Sequence, residues 1–380
     1  MSKKRIFFLI NSMEGGGAER VISNIVLTLK DMYEIDIITL KEGLFYDLPK
    51  EVHVIPLSQI KYNIGLIISF PILLYRFRKL LSEKQYLNGI SFLEIANFIN
   101  ILGNPHAIIS FRTNIEVFKG MLGFFYKKCI SLLYPKAQKI IVNSEENRYD
   151  LAKYLSIPID KITTLYNPIN IEDIEKLKTE PLEKEILEKI HGKRVFITVG
   201  RLVKDEDIGS KNHSLILNIL HELIAQGEKN IAYLIVGDGP AMTYLKQQVS
   251  AHQLSDYVIF TEKQKNVFKY LSHAQYMIYA SRNEGFPNAL IEAIAVGVPI
   301  ITSNFKTGAT EVIMGKYEED SRQKFPQYGP NGVILDLNCF REQFFEIYPK
   351  LDTILQKKRG LERFKIDAKT VEDIFPHSID

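Results

Sequence analysis

Short apolar runs alternate with helix-spaced segments along this chain, and the series stops once and then starts again. Lys4–Ile10, apolar from Ile6 onward, leads into Gly15-Gly16-Gly17. Beyond it Val21, Ile22, Ile25, Val26 and Leu29 share one helical face, so Ala18–Lys30 is expected to be a helix. Ile35–Leu40, Val52–Ile55, Ala107–Phe111, Lys139–Val142 and Ile162–Leu165 predict strands separated by helical segments. The pattern restarts at Val195–Val199 and continues through Ile231–Val236, Val258–Phe260, Tyr276–Tyr279, Pro299–Thr302 and Gly332–Leu335. Strands enclosed on both faces are apolar throughout, and strands alternating with helices imply a mostly parallel sheet covered by helices.

With 380 residues the chain is too long for one comfortable core, so two domains of about 150–200 residues are expected. The division falls into residues 1–170, a charged link over 171–193 rich in Glu and Lys, residues 194–367, and a last helix over 368–380. The fold class is α/β, with two doubly wound Rossmann-like domains whose ligands sit at the carboxyl ends of the strands. Apolar residues make up 46% and charged residues 24%, which excludes a disordered chain. A formal net charge of +3 gives no reason to expect nucleic acid as a partner. Cys129 and Cys339 lie far apart among apolar residues and are expected to be buried free thiols of a reducing cytosol. The start, Met-Ser-Lys-Lys-Arg, lacks the features of a signal peptide.

Chemistry concentrates in Ser281–Ile300. A strand ends at Tyr279, a turn passes through Gly285 and Pro287, and a helix follows with Asn288 in its first turn. Glu284 lies in the turn and Glu292 on the helix, eight residues later. A helix N-terminus binds anions through its backbone N–H groups and dipole, while carboxylates accept hydrogen bonds from sugar hydroxyls. A nucleotide-sugar offers a diphosphate to the first and hydroxyls to the second. The two carboxylates could in isolation be a glycosidase pair, but a hydrolase has no need of the glycine loop or of Arg201 and Lys211.

This stretch resembles the Glu-x7-Glu signature of the retaining glycosyltransferases of family four, which have the GT-B architecture. The resemblance extends over Gly15-Gly-Gly-Ala-Glu-Arg-Val21, Ile90-Ser-Phe-Leu93 with Asn97, Ile141-Val-Asn-Ser144, Tyr166-Asn-Pro-Ile169, Gly200-Arg-Leu202 with Lys211-Asn-His213, and Val236-Gly-Asp-Gly-Pro240. It implies two facing domains with a cleft between them, the last helix crossing back to the first domain, and retention at the anomeric carbon. It implies a nucleoside-diphosphate sugar donor, read here as a UDP-sugar, and no cofactor. By the same resemblance Glu284 touches the donor sugar near its reacting carbon, and Glu292 accepts the ribose hydroxyls. Gly285, Phe286, Asn288, Ala289 and Leu290 complete the donor site, with Gly16 and Gly17 closing over it. A dinucleotide reading of the glycine loop fails because Arg20 stands where glycine or alanine is needed.

The resemblance pairs Arg201 with a lysine on the diphosphate. An acidic insertion, Asp205–Ser210, separates them here; Lys211, placed before a helical run, fits better than Lys204. Fixed cations can stabilise the leaving diphosphate, so no catalytic metal is expected. Glu262 is a further departure, since relatives often carry glycine there. In the first domain Arg112 and Asn114 follow a strand and are expected on the acceptor side, with Asn97 a weaker candidate.

The resemblance implies a lipid-linked saccharide acceptor for an envelope polysaccharide. Ile64–Tyr75 is apolar but shorter than the roughly 20 residues a membrane span requires. Val117–Lys136 interleaves Phe118, Phe124, Phe125, Tyr126 and Tyr134 with Lys119, Lys127, Lys128 and Lys136. Such a pattern suits an anionic membrane surface or a core helix with snorkelling lysines. The expected place is the cytoplasm, peripheral on the inner face of the cell membrane. A nucleotide-sugar epimerase would need acid/base carboxylates and histidines that the chain does not display. A non-catalytic subunit sits poorly with the presence of both Glu284 and Arg201.

Overall fold

The computed structural model describes residues 3–45, 47–59, 63–205, 210–284, 286–317, 324–355 and 364. The chain forms two compact units that divide between Ile169 and Asn170, and Phe364 belongs with the first. The helix expected over 368–380 lies outside the described residues.

In the first unit β1 (Lys4–Ile10), β2 (Tyr33–Thr39), β3 (His53–Pro56), β4 (Asn88–Phe92), β5 (Ile108–Phe111), β6 (Lys139–Val142) and β7 (Ile162–Thr164) form a parallel sheet. Its order is β3-β2-β1-β4-β5-β6-β7. Alternate residues of β1 serve opposite cores. Ile6, Phe8 and Ile10 pack with Val21, Ile22, Ile25 and Val26 of the helix Gly17–Leu29. Phe7 and Leu9 pack with Leu73, Phe77 and Ile99 on the other face. The strand order reverses between β1 and β4, which creates a crevice at their carboxyl ends.

β4 was not anticipated, because Asn88 and Gly89 are poor strand formers. A Cβ on Gly89 would lie 2.4 Å from ring carbons of Phe7, so the aromatic ring of β1 takes that space.

In the second unit β8 (Arg194–Val199), β9 (Ile231–Val236), β10 (Val258–Phe260), β11 (Tyr276–Tyr279), β12 (Ile300–Ser303), β13 (Gln327–Gly329) and β14 (Gly332–Leu335) form the other sheet. The order is β10-β9-β8-β11-β12-β14-β13, and β13 pairs antiparallel with β14 at the edge. Here the reversal falls between β8 and β11.

Residues 171–193, expected as a charged link, are folded into the second unit. Ile171–Leu177 and Lys184–Ile190 are helices. Asn170 caps the first by accepting from the Glu172 and Asp173 N–H groups at 3.1 and 3.3 Å. Ile174, Leu182 and Ile190 are buried. Asn266 Nδ2 donates to Leu177 O at 2.8 Å, and Lys269 Nζ pairs with Glu183 at 2.9 Å. The charge that suggested a link is the solvent face of two amphipathic helices. Both cysteines are free, but Cys129 is only half-buried and Cys339 is exposed, unlike the buried pair expected.

Candidate active site

The turns after β8 and β9 are zipped together. Gly200 N donates to Val236 O and Leu202 N to Asp238 O, both at 3.0 Å. Gly237 has φ 153°, and a Cβ there would lie 1.8 Å from Gly200 O, so only glycine permits this approach. Asp238 accepts from the Gly239 N–H at 2.7 Å, the turn-forming role its position suggests. Arg201 leaves this zipped turn exposed.

Lys211 is 7% exposed, whereas Lys204 is exposed. The Lys211 stem lies on bare Gly200 backbone, where a Cβ would stand 2.7 Å from its Cε. Its Nζ is 2.5 Å from Glu284 Oε1 and 5.1 Å from the centre of the Tyr279 ring. The same carboxylate oxygen accepts from Ser281 Oγ at 2.8 Å and from the Tyr279 hydroxyl at 3.1 Å. Burial, with Glu284 beside it, holds the Tyr279 phenol well above its ordinary pKa, so that it remains a donor. Thr307 donates its hydroxyl to the Glu284 backbone carbonyl. Two of the expected catalytic residues are thus in direct contact, oriented by three that sequence reasoning passed over. The available signals were Tyr279 and Ser281 just ahead of the turn, and the Thr307-Gly308 punctuation after β12.

The helix His213–Ala225 follows Lys211. His213 is buried, and its Nδ1 lies 2.9 Å from the Tyr233 hydroxyl. Tyr233 donates to Thr198 Oγ1 at 2.8 Å, and Thr198 donates to Ile278 O at 2.6 Å. This buried chain ties the start of the helix to β9, β8 and β11. Burial, with Lys211 nearby, drives His213 down to about 3.

The helix Asn288–Val296 starts behind Pro287. Asn288 and Ala289 are partly exposed in its first turn. Phe286 and Leu290 are buried and serve packing. Glu292 is 7% exposed, on the same helix. Gly285 lies outside the described residues. Glu262 takes φ 56°, a left-handed conformation in which glycine is unstrained, which accounts for the glycine expected there from the resemblance. Among the described residues no cluster of three or more His, Cys, Asp or Glu side chains is placed to hold a metal.

In the first unit Gly16 caps and Gly17 opens the helix behind β1. Ahead of them Lys41 Nζ holds Glu14 at 2.6 Å. Arg112 and Asn114 follow β5; the Asn114 side chain accepts from the Glu116 N–H at 2.8 Å. Leu93, after β4, has φ 73° and ψ 152°, a strained conformation for a residue with a side chain. Glu94 comes next, and burial raises the pKa of its carboxyl group. Leu93 was read only as the end of the Ile90–Leu93 motif, and Glu94 was passed over.

Asn97, expected on the acceptor side, is 0% exposed. Its Oδ1 accepts from Ser91 at 2.8 Å; its Nδ2 donates to Ser110 O at 3.0 Å and to the Tyr134 hydroxyl at 2.9 Å. It ties β4 and β5 to the segment around Tyr134.

Two doubly wound α/β units, with glycine turns and a lysine–glutamate pair at the carboxyl ends of the strands, define the GT-B class. Residues 15–173 match the family model "Glycosyltransferase Family 4", and residues 179–318 match "Glycosyl transferases group 1". The chain is 30% identical over 323 residues to the N-acetylgalactosamine-N,N'-diacetylbacillosaminyl-diphospho-undecaprenol 4-alpha-N-acetylgalactosaminyltransferase of Campylobacter jejuni, covering 82% of this chain and 83% of that protein. It is 27% identical to a second Campylobacter jejuni enzyme, an alpha-1,4-N-acetyl-D-galactosaminyltransferase acting on a GalNAc-containing diNAcBac-PP-undecaprenol, over 83% of each. Among solved structures, Anabaena HepE in complex with UDP matches with a TM-score of 0.68 at 16% identity, over 97% of this chain and 98% of that one. WaaG, a glycosyltransferase of lipopolysaccharide biosynthesis, matches with a TM-score of 0.66 at 15% identity, over 90% of each. These two carry the fold alone. The chain belongs to the family-four glycosyltransferases, with the GT-B fold.

Asn97→Ala is expected to destabilise the protein by roughly 2–4 kcal/mol, since each buried polar group left unpaired costs about 1–3 kcal/mol. A lower urea midpoint, with acceptor KM little changed in the surviving folded protein, would establish the structural role. An unshifted midpoint with a raised acceptor KM would restore the acceptor-side role.

Proposed function

We propose that the chain transfers a sugar from a UDP-sugar to a lipid-linked saccharide, with retention at the anomeric carbon and without a catalytic metal. The observation that carries this is the contact between Lys211 and Glu284 at the carboxyl end of the second sheet. A carboxylate fixed by three donors can face a sugar, and the ammonium it holds can be shared with a diphosphate. Arg201, exposed beside the zipped turn, supplies a second cation. The Campylobacter jejuni relatives, whose names specify diphospho-undecaprenol saccharides, support the acceptor class. HepE, solved with UDP, supports the nucleotide.

In this reading the bond from the anomeric carbon to the β-phosphate oxygen breaks as the acceptor oxygen bonds to the same face. The acceptor hydroxyl proton passes to the departing phosphate. Arg201 and Lys211 stabilise the negative charge that gathers on the diphosphate, and Glu284 stabilises the positive charge on the sugar ring. Glu292 binds the ribose.

The lipid acceptor places the enzyme at a membrane, on the cytoplasmic side, where nucleotide-sugars are made. The helix Gly120–Leu133 leaves Met121 91% and Phe124 69% exposed, with Leu122 and Phe125 exposed beside them. Lys119 and Lys128 flank them. A core helix would have buried these aromatics; a peripheral contact with anionic lipid uses both the rings and the charges. Among the described residues no helix is long and apolar enough to cross a membrane.

UDP binding separates the two glutamates. Glu292→Gln is expected to weaken it about 10-fold, roughly 1.4 kcal/mol, by weakening an acceptor for the ribose. Glu284→Gln removes the counter-ion of Lys211 but leaves that ammonium free for the diphosphate. UDP affinity should therefore hold or improve while kcat falls about 10²–10³-fold. Calorimetry showing the reverse pattern would exchange the roles.

Turnover is expected to persist in EDTA. Abolition, restored by manganese or magnesium, would disprove metal independence. Binding to anionic vesicles should fall between 0.1 and 1 M salt, as screening tightens from about 10 to about 3 Å, and should fall further in Phe124→Ser/Phe125→Ser. Equal, negligible sedimentation with neutral and anionic vesicles would refute the membrane contact.

A further inference from the structure

Arg112 is a guanidinium drawn into the first unit without an acid beside it. Its Nη1 donates to Ser110 Oγ at 3.2 Å, its Nη2 to Asn167 Oδ1, and its Cζ lies 5.8 Å from the centre of the Phe92 ring. All three partners are neutral, and among the described residues no carboxylate reaches it. Arg5, Arg148 and Arg194, partly buried as Arg112 is, each meet an acid: Glu34, Glu145 and Asp352. Burial alone pulls Arg112 down to about 9, with no neighbouring negative charge to raise it again, yet it is still protonated at neutral pH.

The surroundings hold this cation in place without neutralising it. Asn143 Nδ2 donates to the Arg112 carbonyl and Asn147 Nδ2 to the Thr113 carbonyl, both at 3.1 Å. The two side chains are joined at 3.2 Å, and Asn114 caps the following turn. The loop is therefore fixed by neutral amides. Two hydrogen bonds leave most of the guanidinium fork's five donors unspent. A partly desolvated charge without a counter-charge is costly to folding, and such a cost persists where a ligand removes it. Arg112 also stands one residue beyond the carboxyl end of β5, the end of a parallel sheet where ligands bind.

We propose that Arg112 is the receiving group for a substrate diphosphate, that of the lipid-linked acceptor, gripping its oxygens with the planar fork. This rests on the acceptor class given above. A phosphate oxygen pair matches the fork and supplies the missing negative charge. The donor's diphosphate has the same chemistry, and the two sources separate experimentally.

The test uses the full chain with farnesyl diphosphate as a soluble prenyl diphosphate, farnesol as its uncharged control, and UDP. The wild type should bind farnesyl diphosphate at least 10-fold more tightly than Arg112→Met, and Arg112→Lys should fall between them. Farnesol and UDP affinities should not change. Without ligand, Arg112→Met should melt at the same temperature as the wild type or higher, because a partly desolvated charge without a counter-charge has been removed. A drop in UDP affinity instead would assign the fork to the donor's diphosphate. Equal farnesyl diphosphate binding by wild type and Arg112→Met, or a lower melting temperature with unchanged binding, would overturn the proposal and leave Arg112 a structural residue. A wild type that binds no UDP would count against the transferase reading and not against Arg112.

Discussion

A strand enclosed on both faces cannot carry chemistry along its length. β1 shows the constraint: Phe8 and Ile10 serve one core, Phe7 and Leu9 the other, and no side chain between Ile6 and Ile10 is free to meet a ligand. Polar function is therefore pushed to the ends of the sheet, where the backbone leaves the ladder. Each expected site residue either follows a strand or lies on the helix that leaves it. The zipped turns at Gly200 and Gly237 show the same constraint at closer range, since two backbones meet where neither can hold a side chain.

Within that frame the Lys211–Glu284 contact settles the electrostatics. A lysine this enclosed needs a counter-charge, and Glu284, restrained by Ser281 and Tyr279, provides it without leaving the turn. The pair keeps an ammonium inside the protein. Arg112, only partly buried, meets no carboxylate among the described residues.

The double α/β series was legible because two-sided burial writes itself as apolar runs. β4 was not, because its glycine answers to Phe7 of a neighbouring strand, a tertiary demand that local propensity does not register. The charged stretch 171–193 misled for a related reason: the few buried positions, Ile174, Leu182 and Ile190, are outnumbered by the charges around them. At the site, residue type and order pointed to Lys211 and Glu284 individually. Their contact depends on how β8 and β11 lie side by side, and Thr307 enters from the turn after β12, which no spacing rule connects to residue 284. Asn97 failed in the opposite direction, as a polar side chain in a motif whose hydrogen bonds are used inside the fold.

The chain from His213 through Tyr233 and Thr198 ends on the Ile278 carbonyl, which can only accept. Every proton along it is therefore directed: Thr198 gives to the carbonyl, Tyr233 gives to Thr198, and His213 must give from Nδ1. The imidazole is locked as one tautomer, with Nε2 bare, buried and without a hydrogen-bond partner among the described residues. An imidazole two residues from the lysine that holds Glu284 would ordinarily be the first suspect for any titration near neutrality. This one is silent across that range, and a change of activity between pH 5 and 8 must be traced to the substrates or to other groups.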